Sequence, residues 1–194
     1  MGIPTRDEAW TILTEFTQGD ALRKHALSVE AAMRAYATRL GGDPDVWGVT
    51  GLLHDFDYEK YPSLEDHPFR GAEILAERNV DDEIRTAILG HGNHTGVPRE
   101  TTMAKALFAV DELCGFLTAC ALVRPTRRVA DVPVKSVKKK MKDKAFARAV
   151  NRDDLRNGPE ELGVTLEDHI EVVRDAMAGV AKELGLAGEE VSRG

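Results

Sequence analysis

Apolar residues recur at helical spacing along nearly the whole chain. Thr5 and Glu8 stand at capping-box spacing, and Trp10, Leu13 and Phe16 behind them predict a first helix. After Gly19, Asp20 is placed to cap a second helix with Leu22, Ala26, Val29, Met33, Tyr36 and Leu40 on one face, ended by Gly41-Gly42. Asp43-Pro44 starts a third, whose Val46, Val49, Leu52 and Leu53 lead into His54-Asp55. Residues 56–66, with Tyr58, Tyr61 and Pro62, read as an irregular connection.

His67-Pro68 begins a fourth helix with Phe69, Ala72, Leu75 and Ala76 inward. Asp81 caps a fifth carrying Ile84, Ala87, Ile88 and His91, and the glycine-rich stretch 90–98 breaks it. Thr101 or Thr102 opens a long sixth helix through Leu107, Val110, Leu113 and Leu117 to about Val123. Beyond Arg124-Pro125 the pattern predicts a lysine-rich helix from Val134 to about Val150, then a short polar segment. A terminal helix follows, capped by Thr165 and Asp168, with Leu166, Ile170, Val173, Met177, Val180 and Leu184 inward. The fold class expected is all-α, about eight helices in orthogonal packing. A single domain is expected over residues 1–186, its core at about 20–125 and accessory helices at about 130–186, with a flexible tail at 187–194.

Composition narrows this picture. With 42% hydrophobic and 30% charged residues the chain has the balance of a globular protein. A net charge of −7 argues against coating nucleic acid or an anionic membrane, so a phosphate-bearing ligand needs local cations or metal. No apolar run reaches the roughly 20 residues that span a bilayer. Residues 1–18 are charged throughout and lack a leader's apolar segment, so a cytoplasmic location is expected. Cys114 and Cys120, six apart in one helix, read as reduced, buried small residues.

The chemistry lies where polar residues occupy inward positions. His25 is in register with Leu22, Ala26 and Val29; His54-Asp55 follows the buried pair Leu52-Leu53; His91 continues Ile84 and Ile88. Asp111 sits in mid-helix between Leu107 and Cys114 with no lysine or arginine on its face. A lone inward histidine is more often hydrogen-bonded core than ligand. An ionised carboxylate in an apolar core, however, costs several kcal/mol unless a cation offsets it. A metal shared by these imidazoles and carboxylates satisfies all of them together.

The ordered set His25, His54-Asp55, Asp111 resembles the H…HD…D signature of the HD-domain (HDIG-type) metal-dependent phosphohydrolases, over about residues 20 to 125. Gly51-Leu52-Leu53-His54-Asp55 and Ala109-Val110-Asp111-Glu112-Leu113 carry the likeness. His67, before Pro68-Phe69-Arg70-Gly71-Ala72, and His91, after Ala87-Ile88-Leu89-Gly90, are similar to the further histidines of two-metal members. The resemblance implies an HD-like helical bundle with extra C-terminal helices. It implies one or two divalent ions (iron, manganese, nickel, cobalt or zinc) held by His25, His54, Asp55, His67, His91 and Asp111, with Asp55 bridging. It also implies hydrolysis of a phosphoester or phosphoanhydride of a small metabolite or nucleotide. Where the family often carries glycine or lysine, two and three residues past the pair, this chain has Asp57 and Tyr58.

Several assignments stay open. His94 competes with His91 as ligand, and is equally a candidate proton donor or substrate contact beside the catalytic pair His54 and Asp55. Asp57 suits the orientation of a water or a histidine. Arg70 and, on the cationic face of Lys135, Lys138, Lys139, Lys140, Lys142 and Lys144, Lys135 are candidate substrate contacts; a solvated face is the plainer reading. His169 reads as structural. The partners expected are a small phosphorylated substrate, with neither membrane nor nucleic acid; a homodimer is left open. Competing functions are an HD-type di-iron oxygenase and a nucleotide-binding or sensing module without turnover.

Overall fold

The computed structural model describes residues 2–188. Among them ten α-helices and no strand are found: α1 (Arg6–Phe16), α2 (Asp20–Leu40), α3 (Pro44–Leu53), α4 (Phe69–Glu77), α5 (Asp82–His91), α6 (Thr102–Leu122), α7 (Val134–Met141), α8 (Asp154–Leu162), α9 (Leu166–Gly179) and α10 (Ala181–Leu184). The all-α expectation holds. No helix among the described residues is long and apolar enough to cross a membrane.

The long helices α2 and α6 are the frame. Helix α3 packs along α2, while α5, α8 and α9 pack on α6. The α2–α3 approach is close at Gly51, where an added Cβ would lie 2.9 Å from Met33 Cγ and 3.0 Å from the Val29 carbonyl oxygen. A side chain at 51 would therefore lever away the helix that ends at His54. Val29, Met33, Leu52, Leu53, Leu107, Val110 and Leu117 are fully buried between these elements. Glu30, also buried, is offset by Arg6 at 2.8 Å and Arg34 at 3.1 Å, and Arg34 reaches Asp45 at 2.7 Å, tying α1, α2 and α3 together.

The capping box of Thr5 and Glu8, the Asp81 cap and the Thr101 cap all form as the sequence suggests. Asp20 does not cap α2. The N-cap is Gly19, and the Glu59 carboxylate accepts the Gln18 and Gly19 amides at 2.8 and 2.9 Å, leaving Asp20 to pair with Lys24. Leu40 and Ala76 are exposed rather than inward, each in the last turn of its helix.

The larger departures are C-terminal. The lysine-rich helix stops at Met141 instead of Val150. Beyond it the Arg152 guanidinium donates to the carbonyls of Asp143, Phe146, Ala147 and Val150, and the first two are oxygens that a helix continued to Val150 would use for its own ladder. The segment expected to be short and polar contains α8, buried through Leu155, Gly158 and Pro159. The terminal helix is broken between Gly179 and Ala181. The Leu186 carbonyl accepts the Val129 amide at 3.0 Å, and Ala187 forms a backbone bridge with Arg128. Residues 189–194 of the expected tail lie outside the described residues.

Cys114 and Cys120 are free and buried. His169 is structural in the sense expected. Its Nδ1 accepts the Tyr36 hydroxyl at 2.5 Å and its Nε2–H donates to the Ala109 carbonyl at 2.8 Å, so one imidazole joins α9 to α2 and α6. Burial pushes this histidine down to about 4 from 6.5. The folded protein keeps it neutral where the unfolded chain binds a proton. Its contribution is present above pH 6.5 and is lost as the pH falls toward 4, about 3 kcal/mol in all. Urea unfolding of wild type and His169→Gln from pH 7.5 to 4 is expected to show a shallower pH slope for the variant; equal slopes would contradict this.

Candidate metal centre

Each inward polar residue reaches the centre from a different element. His25 comes from the second turn of α2 and Asp111 from the middle of α6. His54 is the C-cap of α3, with Asp55 in the turn beyond it. His67 precedes α4 and His91 is the last residue of α5. Two groups result, His25, His54, Asp55 and Asp111, and Asp55, His67 and His91, with donor atoms within 4.8 Å of one another in each.

The Asp55 carboxylate belongs to both. Its Oδ2 lies 3.4 Å from His54 Nε2 and 4.0 Å from His25 Nε2, while its Oδ1 lies 3.2 Å from His67 Nε2 and 3.3 Å from His91 Nε2. Asp111 Oδ1 is 2.9 Å from His25 Nε2 and 3.4 Å from His54 Nε2. Donors bonded at roughly 2.0–2.2 Å to one ion stand roughly 3.0–3.5 Å from each other, and most of these separations fall in that interval.

The histidines are oriented from behind. His54 Nδ1–H donates to the Gly51 carbonyl at 2.8 Å, and His91 Nδ1–H donates to the Ile88 carbonyl. His67 Nδ1 meets the fully buried Asp57 carboxylate at 2.8 Å, whose other oxygen accepts the Gly71 amide at 2.8 Å. In each case the outer nitrogen is fixed and Nε2 is turned toward Asp55, the arrangement that outer hydrogen bonds impose on metal-binding imidazoles. His54 Nε2 is fully buried and has no hydrogen-bond partner. An unpaired buried nitrogen costs about 1–3 kcal/mol, and a cation at its lone pair removes that cost. The donor set therefore fits a divalent ion.

The electrostatics agree. Burial opposes a charge on His54, yet Asp55 and Asp111 hold it well above the ordinary histidine range. His67 is likewise raised to about 9 by Asp55 and Asp57 against the opposing effect of burial. Burial would lift the Asp55 and Asp111 carboxyls, but the His54 charge and the imidazole hydrogen bonds keep both well below it. In the protein alone, protons on imidazole offset the buried carboxylates. A bound cation takes over that role and releases the protons. About a fifth of the Asp55, Asp111 and His25 side chains is exposed, so the centre opens to solvent.

The remaining sequence candidates fall elsewhere. His94 is drawn away from Asp55: its Nε2–H donates to the His67 carbonyl at 2.8 Å and its ring lies edge-on to Phe69. Arg70 is exposed and engaged by Asp66 at 3.4 Å and Glu73 at 3.1 Å. Lys135 lies with Lys138, Lys139 and Lys142 along a groove between α7 and α9, on an apolar floor of Val134, Met141 and Leu166. Sequence reasoning passed over Glu112. Burial and then the neighbouring Asp111 charge raise its carboxyl to about 7, against the Asn151 amide it accepts at 3.2 Å. Its place directly after an inward aspartate was the available signal.

Residues 22–115 match the family described as HD domain. Among curated proteins, a tRNA (cytidine(56)-2'-O)-methyltransferase from Picrophilus torridus is 30% identical over 89 residues, covering 46% of this chain and 26% of that protein. This chain thus spans about a quarter of that relative. No solved structure matches.

Removing the carboxylate behind His67 tests the orientation described above. Asp57→Ala is expected to weaken metal uptake about 10- to 100-fold while every residue of the two donor groups remains. Equilibrium dialysis against Mn²⁺ checks this; an unchanged affinity would show that Asp57 serves only the turn.

Proposed function

With residues 22–115 an HD domain, we propose that this protein is a metal-dependent phosphohydrolase acting on a small phosphorylated metabolite or nucleotide. His25, His54, Asp55 and Asp111 hold one divalent ion, and Asp55, His67 and His91 hold a second. The observation that carries this reading is the buried His54 Nε2, which makes no hydrogen bond and stands between two carboxylates 3.4 Å away. When bound, divalent ions supply a lowered pKa for a coordinated water and a positive field for phosphate oxygens.

The chain's own residues divide the remaining work. Neutral imidazoles add donors without adding negative charge, so phosphate is not repelled. Asp55, placed between the two groups, fixes their spacing through its two oxygens. His94, oriented by the His67 carbonyl, stands at the edge as proton donor or substrate contact. Phosphate contacts from Lys135 and from Arg70, which would have to leave its Asp66 and Glu73 partners, belong to the same proposal. The methyltransferase named above shares only a quarter of its length with this chain, and its methyl transfer is not carried over.

The test joins metal analysis to activity. The purified protein, reloaded with Mn²⁺, Co²⁺, Ni²⁺, Zn²⁺ or Fe²⁺, is screened with phosphomonoesters and nucleotides in air and under argon. Phosphate release without oxygen consumption is expected. His54→Ala is expected to keep its helical circular dichroism yet lose metal and turnover by more than the 10- to 100-fold that removing a group behind a ligand costs. Hydrolysis by metal-free His54→Ala, or oxygen consumption in place of phosphate release, would overturn the proposal.

A further inference from the structure

His91 is held from behind by the Ile88 carbonyl of its own helix, so its place depends on where that helix ends. It is the final residue of α5, and the backbone turns extended at Gly92 directly after it. His25 and Asp111 instead lie well inside 21-residue helices, and His67 is braced by Asp57.

Arg99 braces the end of α5 from outside it. Its Nη1 donates to the Gly90 carbonyl at 2.8 Å and to Asn93 Oδ1 at 3.1 Å, gripping the chain on both sides of His91. Its Nε and Nη2 donate to the two Glu161 oxygens at 2.8 and 2.7 Å, a two-point pair with α8. The guanidinium also lies 3.7 Å from the Phe108 ring centroid, on α6 one turn before Asp111. A second tie runs beside it, from Asn93 Nδ2 to Asp154 on α8 at 3.0 Å. Helix α8 is itself pressed on α6. A Cβ at Gly158 would lie 2.7 Å from Ala109 Cα, so only glycine permits this approach.

We infer that Arg99 is a positioning residue that sets His91 against Asp55, and that α8, outside the matched residues 22–115, is part of the frame of the second ion site. The inference rests on the two-ion reading given above. Arg99 touches neither ion nor substrate. It fixes the end of α5 against α6 and α8, and the ion held by Asp55, His67 and His91 depends on that placement. The group His25, His54, Asp55 and Asp111 contains no residue of α5.

Co²⁺ titration of the metal-free, full-length protein separates the two sites, followed by calorimetry and by the visible absorption of bound cobalt. The wild type is expected to take up two equivalents. Arg99→Gln is expected to bind the first as the wild type does and the second roughly 10- to 100-fold more weakly. Glu161→Gln keeps Arg99 but loosens its anchor, and it gives the same selective loss if Arg99→Gln does not fold. Arg39→Gln, which breaks the comparable Arg39–Asp168 pair between α2 and α9, is expected to leave both equivalents unchanged. Two unchanged equivalents in Arg99→Gln and Glu161→Gln overturn the inference and leave the site reading intact. An equal loss in Arg39→Gln also overturns it. Fewer than two equivalents in the wild type contradict the two-ion reading and the inference together.

Discussion

The Asp55 carboxylate is the constraint around which the rest is arranged. It is held where four imidazoles can meet it, His25 and His54 on one oxygen and His67 and His91 on the other. A buried carboxylate is costly unless it is compensated from several sides. Here the compensation comes from α2, α3, the turn before α4, and the end of α5, and α6 brings a second carboxylate, Asp111. Packing these helices on one another is therefore the same act as assembling the centre.

That arrangement gives up stability for chemistry. An apolar set of side chains of similar volume would satisfy the core at lower electrostatic cost, and would leave no Nε2 unpaired at His54. The outer nitrogens of His54, His67 and His91 are all fixed by carbonyl or carboxylate partners. The inner nitrogens are thus pre-oriented, and little rearrangement is needed when a cation replaces protons.

The core and the inward polar residues were legible because they obey simple periodicities. His25, His91 and Asp111 stand at inward positions of strong helical patterns, and His54-Asp55 ends one. Asp57 was legible as an orienting residue but not as the partner of His67 in particular, because that pairing depends on the turn after α3. The hydrogen bond of His94 to the His67 carbonyl was not legible, because it depends on the path of the chain after Gly92. The C-terminal third was misread for physical reasons. Arg152 collects the Asp143 and Phe146 carbonyls, which a helix continued to Val150 would need. Helix α8 contains Gly158-Pro159, a pair that signals a break in sequence. Here the glycine allows close contact with Ala109 and the proline sits buried beside it. Arg99 carries no periodic signal, since its partners are backbone and remote side chains.

The central claim is that the two donor groups around Asp55 bind divalent cations. Crystals of the protein grown with Mn²⁺ and measured at the manganese absorption edge test it most directly. The expected result is anomalous density between His25, His54, Asp55 and Asp111, with a second peak between Asp55, His67 and His91. Manganese density absent from both positions, with Mn²⁺ in solution well above micromolar levels, would contradict it.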